Sequence, residues 1–433
     1  MRPTTADAID VAVLAALKGA LGAWVIHLGF SHVSDDDYAR VVIAQLFAHA
    51  PRLDPSGTSW LPFPFWTVGG LMMLLGRSLR VARAIAFGAG CASVAPVYLA
   101  LRRAGVARAS AVLGVALAMA TPWNAWLAVA TVPEAPTGVL IACGAILLGV
   151  PAARPFAAAA LLLAALSRYE AWPVCAVFAL ACVWSAARAE DRRSRLRDAC
   201  CAAAAAAGPL AWMAWNAHAH DGALHFLRRV AAFRTHVAPD AGGSLAAFPL
   251  ALLTGAPEIT IVFLLGALGL GDAAIRKRWA LPLACVASML AFLVVGDWQG
   301  GAPTHHPERA LVGAWWLLAP FGVDGALALA RRRAWGRPKR EAWVAAATVA
   351  ALMTWSLAIP RRYSPAPGTS LQESRTGQEA RGRALATAAA IEVTPCVYEH
   401  FALLAAYGAP ERAHVDPPMG AHEGQACPKV VAR

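Results

Sequence analysis

The feature that most limits what this chain can fold into is a recurrence. Apolar stretches of about 17–25 residues return along its length, each long enough to cross a hydrocarbon core of roughly 30 Å. Lipid offers no partner to a bare backbone N–H or C=O, so such stretches must be helices whose hydrogen bonds close within the segment. The bulk composition agrees: 58% of the 433 residues are apolar and 15% charged, with mean hydropathy +0.51. A soluble globular chain of this size carries far more charge. The expected class is all-α, a polytopic transmembrane bundle.

Apolar runs and their breakers place about eleven helices, near 9–30, 84–101, 109–122, 134–150, 155–167, 172–187, 200–217, 246–270, 279–296, 309–330 and 341–358. The first lacks a small-residue cleavage site and reads as a retained signal anchor. The connectors alternate in charge. One set (102–108, 151–155, 188–199, 271–278, 331–341) holds 18 Lys/Arg in 43 residues, the other (31–83, 122–134, 167–172, 218–245, 297–309) 10 in 113. The dense set belongs in the cytoplasm, which puts the N-terminus inside and every His except His27 outside. The net charge of +12 therefore belongs to topology, and nucleic acid is not an expected partner.

The segment Trp60 to Gly76 is apolar enough to span, yet Pro62 and Pro64 interrupt it, it is short, and counting it would invert the charge asymmetry of every later loop. It reads as a juxtamembrane or re-entrant helix, with Arg77, Arg80 and Arg83 at headgroup level. Residues 1–358 form the membrane domain. Residues 359–433 gain Gly, Pro, Glu and Arg and read as a small outer domain or tail, with helices expected at 378–390 and 398–407. Seven cysteines lie in or beside apolar runs and behave as small hydrophobes. Cys396 and Cys427 lie in the tail, where a disulfide and two free thiols both remain open.

Polar chemistry gathers in the outer loops. Ser34-Asp35-Asp36-Asp37-Tyr38 follows the first helix. A capping box, Ser34 as N-cap and Asp37 at its third position, accounts for part of it, and residues 35–49 read as an amphipathic helix on the membrane surface. Three adjacent carboxylates near anionic headgroups exceed what capping needs, and one could serve as a general base toward an acceptor hydroxyl. Arg168 and Glu170, within Ser167-Arg168-Tyr169-Glu170-Ala171-Trp172, sit between two apolar runs. They form either a structural pair or a guanidinium site for a lipid-linked phosphate.

Thr304-His305-His306-Pro307-Glu308-Arg309 leads into a late helix. It lacks the H-E-x-x-H spacing of a zinc helix, so phosphate contact by His305, His306 and Arg309 outweighs metal, and a helix start with Pro307 at its first position is the bland alternative. No metal is assigned, although a divalent cation is compatible with such a site. Glu134, after Pro133, is a further binding candidate or a first-turn residue facing the helix dipole; His218, His220 and Asp221 read as headgroup-facing.

Several of these stretches resemble the C-type glycosyltransferase superfamily, polytopic enzymes that take sugars from polyprenyl-phosphate donors. They are Asp35-Asp36-Asp37-Tyr38, the run Trp60-Leu61-Pro62-Phe63-Pro64-Phe65-Trp66, Arg83 with Ala84, and Ser167-Arg168-Tyr169-Glu170. His306-Pro307-Glu308-Arg309 is similar to the H-K-E-x-R-F signature of the mannosyltransferase branch, one residue shorter and without the Phe. The resemblance covers about the first 330 residues. It implies a catalytic acidic motif at Asp35, Asp36 and Asp37, with Asp35 or Asp36 as base. Arg168, Glu170, His305, His306, Glu308, Arg309 and Glu134 would bind donor phosphate and substrate. It further implies a lipid, glycan or protein acceptor, inversion at the anomeric carbon, and an active site on the periplasmic face of a bacterial inner membrane.

A transporter or flippase for a lipid or anionic solute is the alternative. It would carry charges or broken helices near mid-membrane, whereas the spans read from sequence are nearly charge-free apart from Lys18. A non-catalytic membrane subunit presenting its tail to partners is the third reading.

Overall fold

A computed structural model describes residues 4–237, 243–301, 306–332, 338–364, 375–394, 400–416 and 429–432; His305, Cys396 and Cys427 lie outside the described residues. In chain order the helices are α1 (Thr5–His27), α2 (Asp36–His49), α3 (Phe63–Leu75), α4 (Leu79–Ala92), α5 (Val94–Arg103), α6 (Arg108–Met119), α7 (Pro122–Leu127), α8 (Glu134–Leu148), α9 (Arg154–Ala165) and α10 (Ala171–Ala187). They continue with α11 (Arg192–Ala219), α12 (His225–Val237), α13 (Ala247–Thr254), α14 (Pro257–Ala267), α15 (Ala273–Trp298), α16 (Val312–Arg332), α17 (Pro338–Leu357), α18 (Thr376–Ala384) and α19 (His400–Tyr407). The class is all-α, as the apolar runs require, and a helix occupies each of the eleven expected spans.

Four helical stretches are long and apolar enough to cross a membrane: Thr5–His27, Leu79–Arg103, Ala273–Trp298 and Pro307–Ala330. In the last, 89% of the apolar window is buried against 22–39% in the other three, so α16 is the axis of the bundle and the others face lipid. Small residues let its neighbours close in. A Cβ built on Gly325 would stand 2.3 Å from the Gly266 carbonyl oxygen of α14, and one on Gly114 of α6 would stand 2.5 Å from Pro320 Cα. Close backbone approach of this kind supplies the contact that lipid-solvated helices cannot gain from the hydrophobic effect.

Two expected spans are interrupted. Residues 246–270 are two helices, α13 and α14, set at 90°. Pro257 has no N–H to give the Leu253 carbonyl and its ring crowds that position; the Thr260 hydroxyl donates to the Leu253 oxygen instead, at 2.8 Å. The span expected at 84–101 starts earlier, at Leu79, where the Ser78 hydroxyl accepts from Val81 N at 3.2 Å. It is jointed at Ser93, whose Oγ donates to the Gly90 carbonyl at 2.6 Å.

The bundle interior also holds more charge than its sequence suggests. Lys18 donates to the Asn124 carbonyl at 2.7 Å, and Asp324 takes Arg278 at 2.5 Å and the Trp279 indole at 3.0 Å. Glu258 takes Arg362 at 3.0 Å. Each buried carboxylate is met by an arginine from an adjoining segment, which is what makes its burial tolerable.

Beyond α17 the chain forms a small α/β unit. β1 (Ile391–Thr394) lies between β2 (Ala413–Val415), parallel to it, and β3 (Lys429–Ala432), antiparallel; Ile391 pairs with Ala413 on one side and Ala432 on the other. α18 and α19 answer the two tail helices expected from sequence, the first starting about half a turn earlier, at Thr376, and ending at Ala384. This unit shares one apolar core with the first outer loop: Val41, Val42, Met72 and Leu79 pack with Ile391, Val393, Leu403 and Tyr407. The loop therefore differs from expectation in two ways. α2 is wedged between α3 and α19 rather than lying on a membrane surface, and Arg77 and Arg83 face Glu411 and Glu379 of the tail unit at 2.9 and 2.6 Å rather than headgroups.

Candidate active site where the outer loops meet

The loops before α2, before α8, between α9 and α10, and before α16 converge on one ion cluster. Glu134, at the start of α8, is its centre and has no exposed side-chain surface. Its Oε1 accepts from Arg168 Nη1 at 2.7 Å and from Arg309 Nε at 2.9 Å and Nη2 at 2.6 Å. Arg168 Nε also donates to Glu170. On its other side Arg309 reaches the first outer loop, donating through Nη1 to Ser34 Oγ at 3.2 Å and to Asp36 Oδ2 at 3.3 Å. Arg168 and Arg309 share Glu134 and each holds a second carboxylate, Glu170 and Asp36 respectively, so each buried arginine faces more than one counter-charge.

The three aspartates divide. Asp37 is buried and braces the loop: Oδ2 accepts from Val33 N and Ser34 N at 3.0 and 3.2 Å, and Oδ1 from Thr131 N at 3.0 Å. Burial pushes its carboxyl up to about 6, against Arg309 and those backbone donors, which favour the anion. It supplies the returning arm of a capping box. The Ser34 hydroxyl, expected to cap α2, is turned to Arg309 instead. Asp35 is gripped in two-point fashion by Arg375 of the tail unit, at 2.9 and 2.8 Å. Asp36 alone keeps an open side, with 38% of its side chain exposed and only the longer contacts to Arg309.

One further cation belongs here that sequence reasoning passed over. Arg40 lies one helical turn beyond Asp36 on α2, is 8% exposed, and stacks its guanidinium 4.3 Å from the Trp60 ring centre and 5.7 Å from Phe65. Among the described residues it makes no ion pair, and its Nε has no hydrogen-bond partner. Glu134 Oε2 is likewise buried and unpartnered, so a cationic donor and a carboxylate acceptor both stand open at the heart of the cluster. The i, i+4 spacing of Asp36 and Arg40 was the available signal.

With the helical architecture and the loop cluster described, the comparison with solved structures is decisive for the fold. The chain shares the fold of ArnT. The matched crystal structure is of ArnT from Cupriavidus metallidurans bound to undecaprenyl phosphate, with TM-score 0.58 at 15% identity, covering 95% of this chain and 90% of that one. No family model and no curated protein matches the chain. The likeness in fold extends over nearly the whole chain.

The remaining expected site residues lie at the edge of the cluster. His306 starts the turn Pro307–Leu311 in a left-handed conformation, φ 58°, with its ring 5.5 Å from that of Trp123. A non-glycine residue held there is strained, and such strain concentrates at functional sites. Glu308 is half-buried against the break between α13 and α14, its Cγ 3.0 Å from where a Gly255 Cβ would stand. His218, His220 and Asp221 belong to a separate group around Asp54: His220 Nε2 stands 3.6 Å from Asp54 Oδ2 and stacks on His225. Among the described residues no three His, Cys, Asp or Glu side chains converge as the ligands of a metal would.

Proposed function

We propose that the protein is an integral-membrane glycosyltransferase that moves a sugar from a polyprenyl-phosphate donor to an acceptor hydroxyl at the periplasmic face of a bacterial inner membrane. The observation that carries this is the pairing of one open carboxylate, Asp36, with one buried cation, Arg40, unpaired among the described residues, a helical turn apart beside the Arg168–Glu134–Arg309 cluster. The shared fold adds support, since the ArnT structure holds undecaprenyl phosphate.

The reaction follows from the parts. Asp36 takes the proton of the acceptor hydroxyl as its oxygen bonds to the anomeric carbon. The bond from that carbon to the phosphate oxygen breaks on the opposite face with its electron pair, so the anomeric centre inverts and polyprenyl phosphate leaves with one more negative charge. Arg40, already desolvated and fixed on Trp60, meets that developing charge without reorganising. Arg309 holds Asp36, and Arg168 and Arg309 together hold Glu134. The alternation of Arg-rich and Arg-poor loops supports the periplasmic side.

Incubating purified protein with a panel of radiolabelled polyprenyl-phosphate sugars and following label into membrane lipids tests the proposal. Transfer from one donor supports it, and no transfer from any donor sinks it. The break between α13 and α14 and the buried Glu258 are features of a transporter as well. Glu258 is, however, closed off by Arg362 at 3.0 Å and Ser356 at 3.3 Å, which leaves it no free valence for a passing solute.

A further inference from the structure

Helix α2 has two working faces. Tyr38, Val41, Val42 and Gln45 fall at i, i+3, i+4 and i+7 and form one stripe. Every one of them is buried against the tail unit or the core it shares with the loop. Asp36 and Arg40, on a different face, belong to the ion cluster. Whatever sets the rotation and height of α2 therefore sets where Asp36 stands.

Polar contacts from the tail unit do this at both ends of the stripe. At the start of the helix Arg375 holds both oxygens of Asp35, the residue just before Asp36, at 2.9 and 2.8 Å. One step inward Glu379 accepts from the Tyr38 hydroxyl at 2.9 Å while pairing with Arg83 of α4 at 2.6 Å, tying α2, α4 and α18 at a single carboxylate. Further along, Gln45 Nε2 donates to the Ala405 carbonyl of α19 at 2.9 Å and to the Arg77 carbonyl at 3.0 Å. The Asp35–Arg375 pair spans 340 residues of sequence, so it cannot be local capping.

We infer that the C-terminal unit is a positioning element for the reacting carboxylate: Arg375, by clamping Asp35, fixes the first turn of α2 and so aims Asp36 and Arg40 at the substrate, while withdrawing Asp35 from the chemistry. This rests on the transferase reading for its catalytic half, and not for its structural half. In this role Arg375 and Glu379 act through the placement of α2 rather than on the substrate.

The test uses the full-length protein in detergent or nanodiscs and reads two quantities, amide hydrogen exchange across residues 36–45 and steady-state transfer. Arg375→Ala should speed exchange in the first turns of α2 by tenfold or more and lower kcat about tenfold, with the donor KM within twofold. Arg375→Lys should keep most of both. The exchanged pair Asp35→Arg with Arg375→Asp should recover exchange protection and much of kcat, which a general loss of folding would not do. Unchanged exchange in Arg375→Ala overturns the clamp. Faster exchange with kcat within twofold of wild type overturns its catalytic half. If wild-type protein transfers nothing from any donor, the transferase reading falls separately, and the exchange measurements still decide whether the clamp exists.

Discussion

At the scale of single residues, the site separates groups that hold from groups that are free to react. Asp36→Asn keeps the shape and removes the base, so transfer should fall by roughly 10²–10⁴-fold while the protein still elutes as a folded peak; activity within threefold of wild type would exclude Asp36 as the base. Arg40→Ala should raise the donor KM and lower kcat together, with Arg40→Lys recovering little because an ammonium neither stacks on Trp60 nor presents the same fork. His32 offers a pH-dependent check. It is buried between Ser31 and Tyr38, and burial pulls its imidazole down to about 4 from an ordinary 6.5. The unfolded chain then binds a proton that the folded one refuses. The contribution of His32 to stability is full above pH 6.5 and is lost as pH falls toward 4, by about 3 kcal/mol at 1.36 kcal/mol per pH unit, while Asp37, its carboxyl raised to about 6, works in the opposite sense. His32→Asn should lose less melting temperature than wild type when the detergent-solubilised protein is taken from pH 7 to 4.5; an unchanged slope would show that His32 does not contribute. The acidic triplet, Arg168, Glu134 and Arg309 were legible in the sequence because charge between apolar runs is costly enough to stand out. Arg40 was not, since a basic residue on an amphipathic helix reads as ordinary until its partners are known to be missing.

At the scale of elements, hydropathy located the helices and concealed their joints. The run through 246–270 stays apolar across Gly255-Ala256-Pro257, so nothing in its hydropathy announces a right-angle turn, and only Pro257 marks the place. The tail sheet escaped notice for a different reason. Its strands are three or four residues long and are fixed by pairing between segments far apart in sequence, which local periodicity does not encode. The close contacts of α16 are where small residues matter most. Gly325→Val would thrust a side chain into the Gly266 carbonyl, which a Cβ alone would approach to 2.3 Å. Overpacking of that order costs about 1–3 kcal/mol or more. The variant should lose a large share of monodisperse protein, whereas Gly88→Ala, whose Cβ meets nothing within 4 Å, should not. Equal yields from the two would mean that the α14–α16 contact is looser than the structure has it.

At the scale of the whole molecule, function depends on which loops share a side. The ion cluster gathers segments from four separate connectors, and Asp36 touches Arg309 across 273 residues of sequence. The Arg-rich connectors form contacts of their own elsewhere, as where Arg154 of α9 and Arg197 of α11 both reach Asp198. Two sets of loops of different charge density, with contacts inside each, are what a bundle crossing lipid should produce, and the density rule predicts that the Arg-poor set lies outside. Single cysteines on a cysteine-free background make this measurable in intact cells. Thr58→Cys, on the first outer loop, and Gly301→Cys, before the Arg309 turn, should react with a membrane-impermeant maleimide. Ala189→Cys, between α10 and α11, should react only after the cells are permeabilised. Labelling of all three in intact cells would overturn the two-sided arrangement of the loops, and labelling of Ala189→Cys alone would put the open carboxylate and its neighbouring cation on the cytoplasmic side. An acceptor hydroxyl would then have to come from the cytoplasm, and the class of product would change even though the chemistry at Asp36 would not.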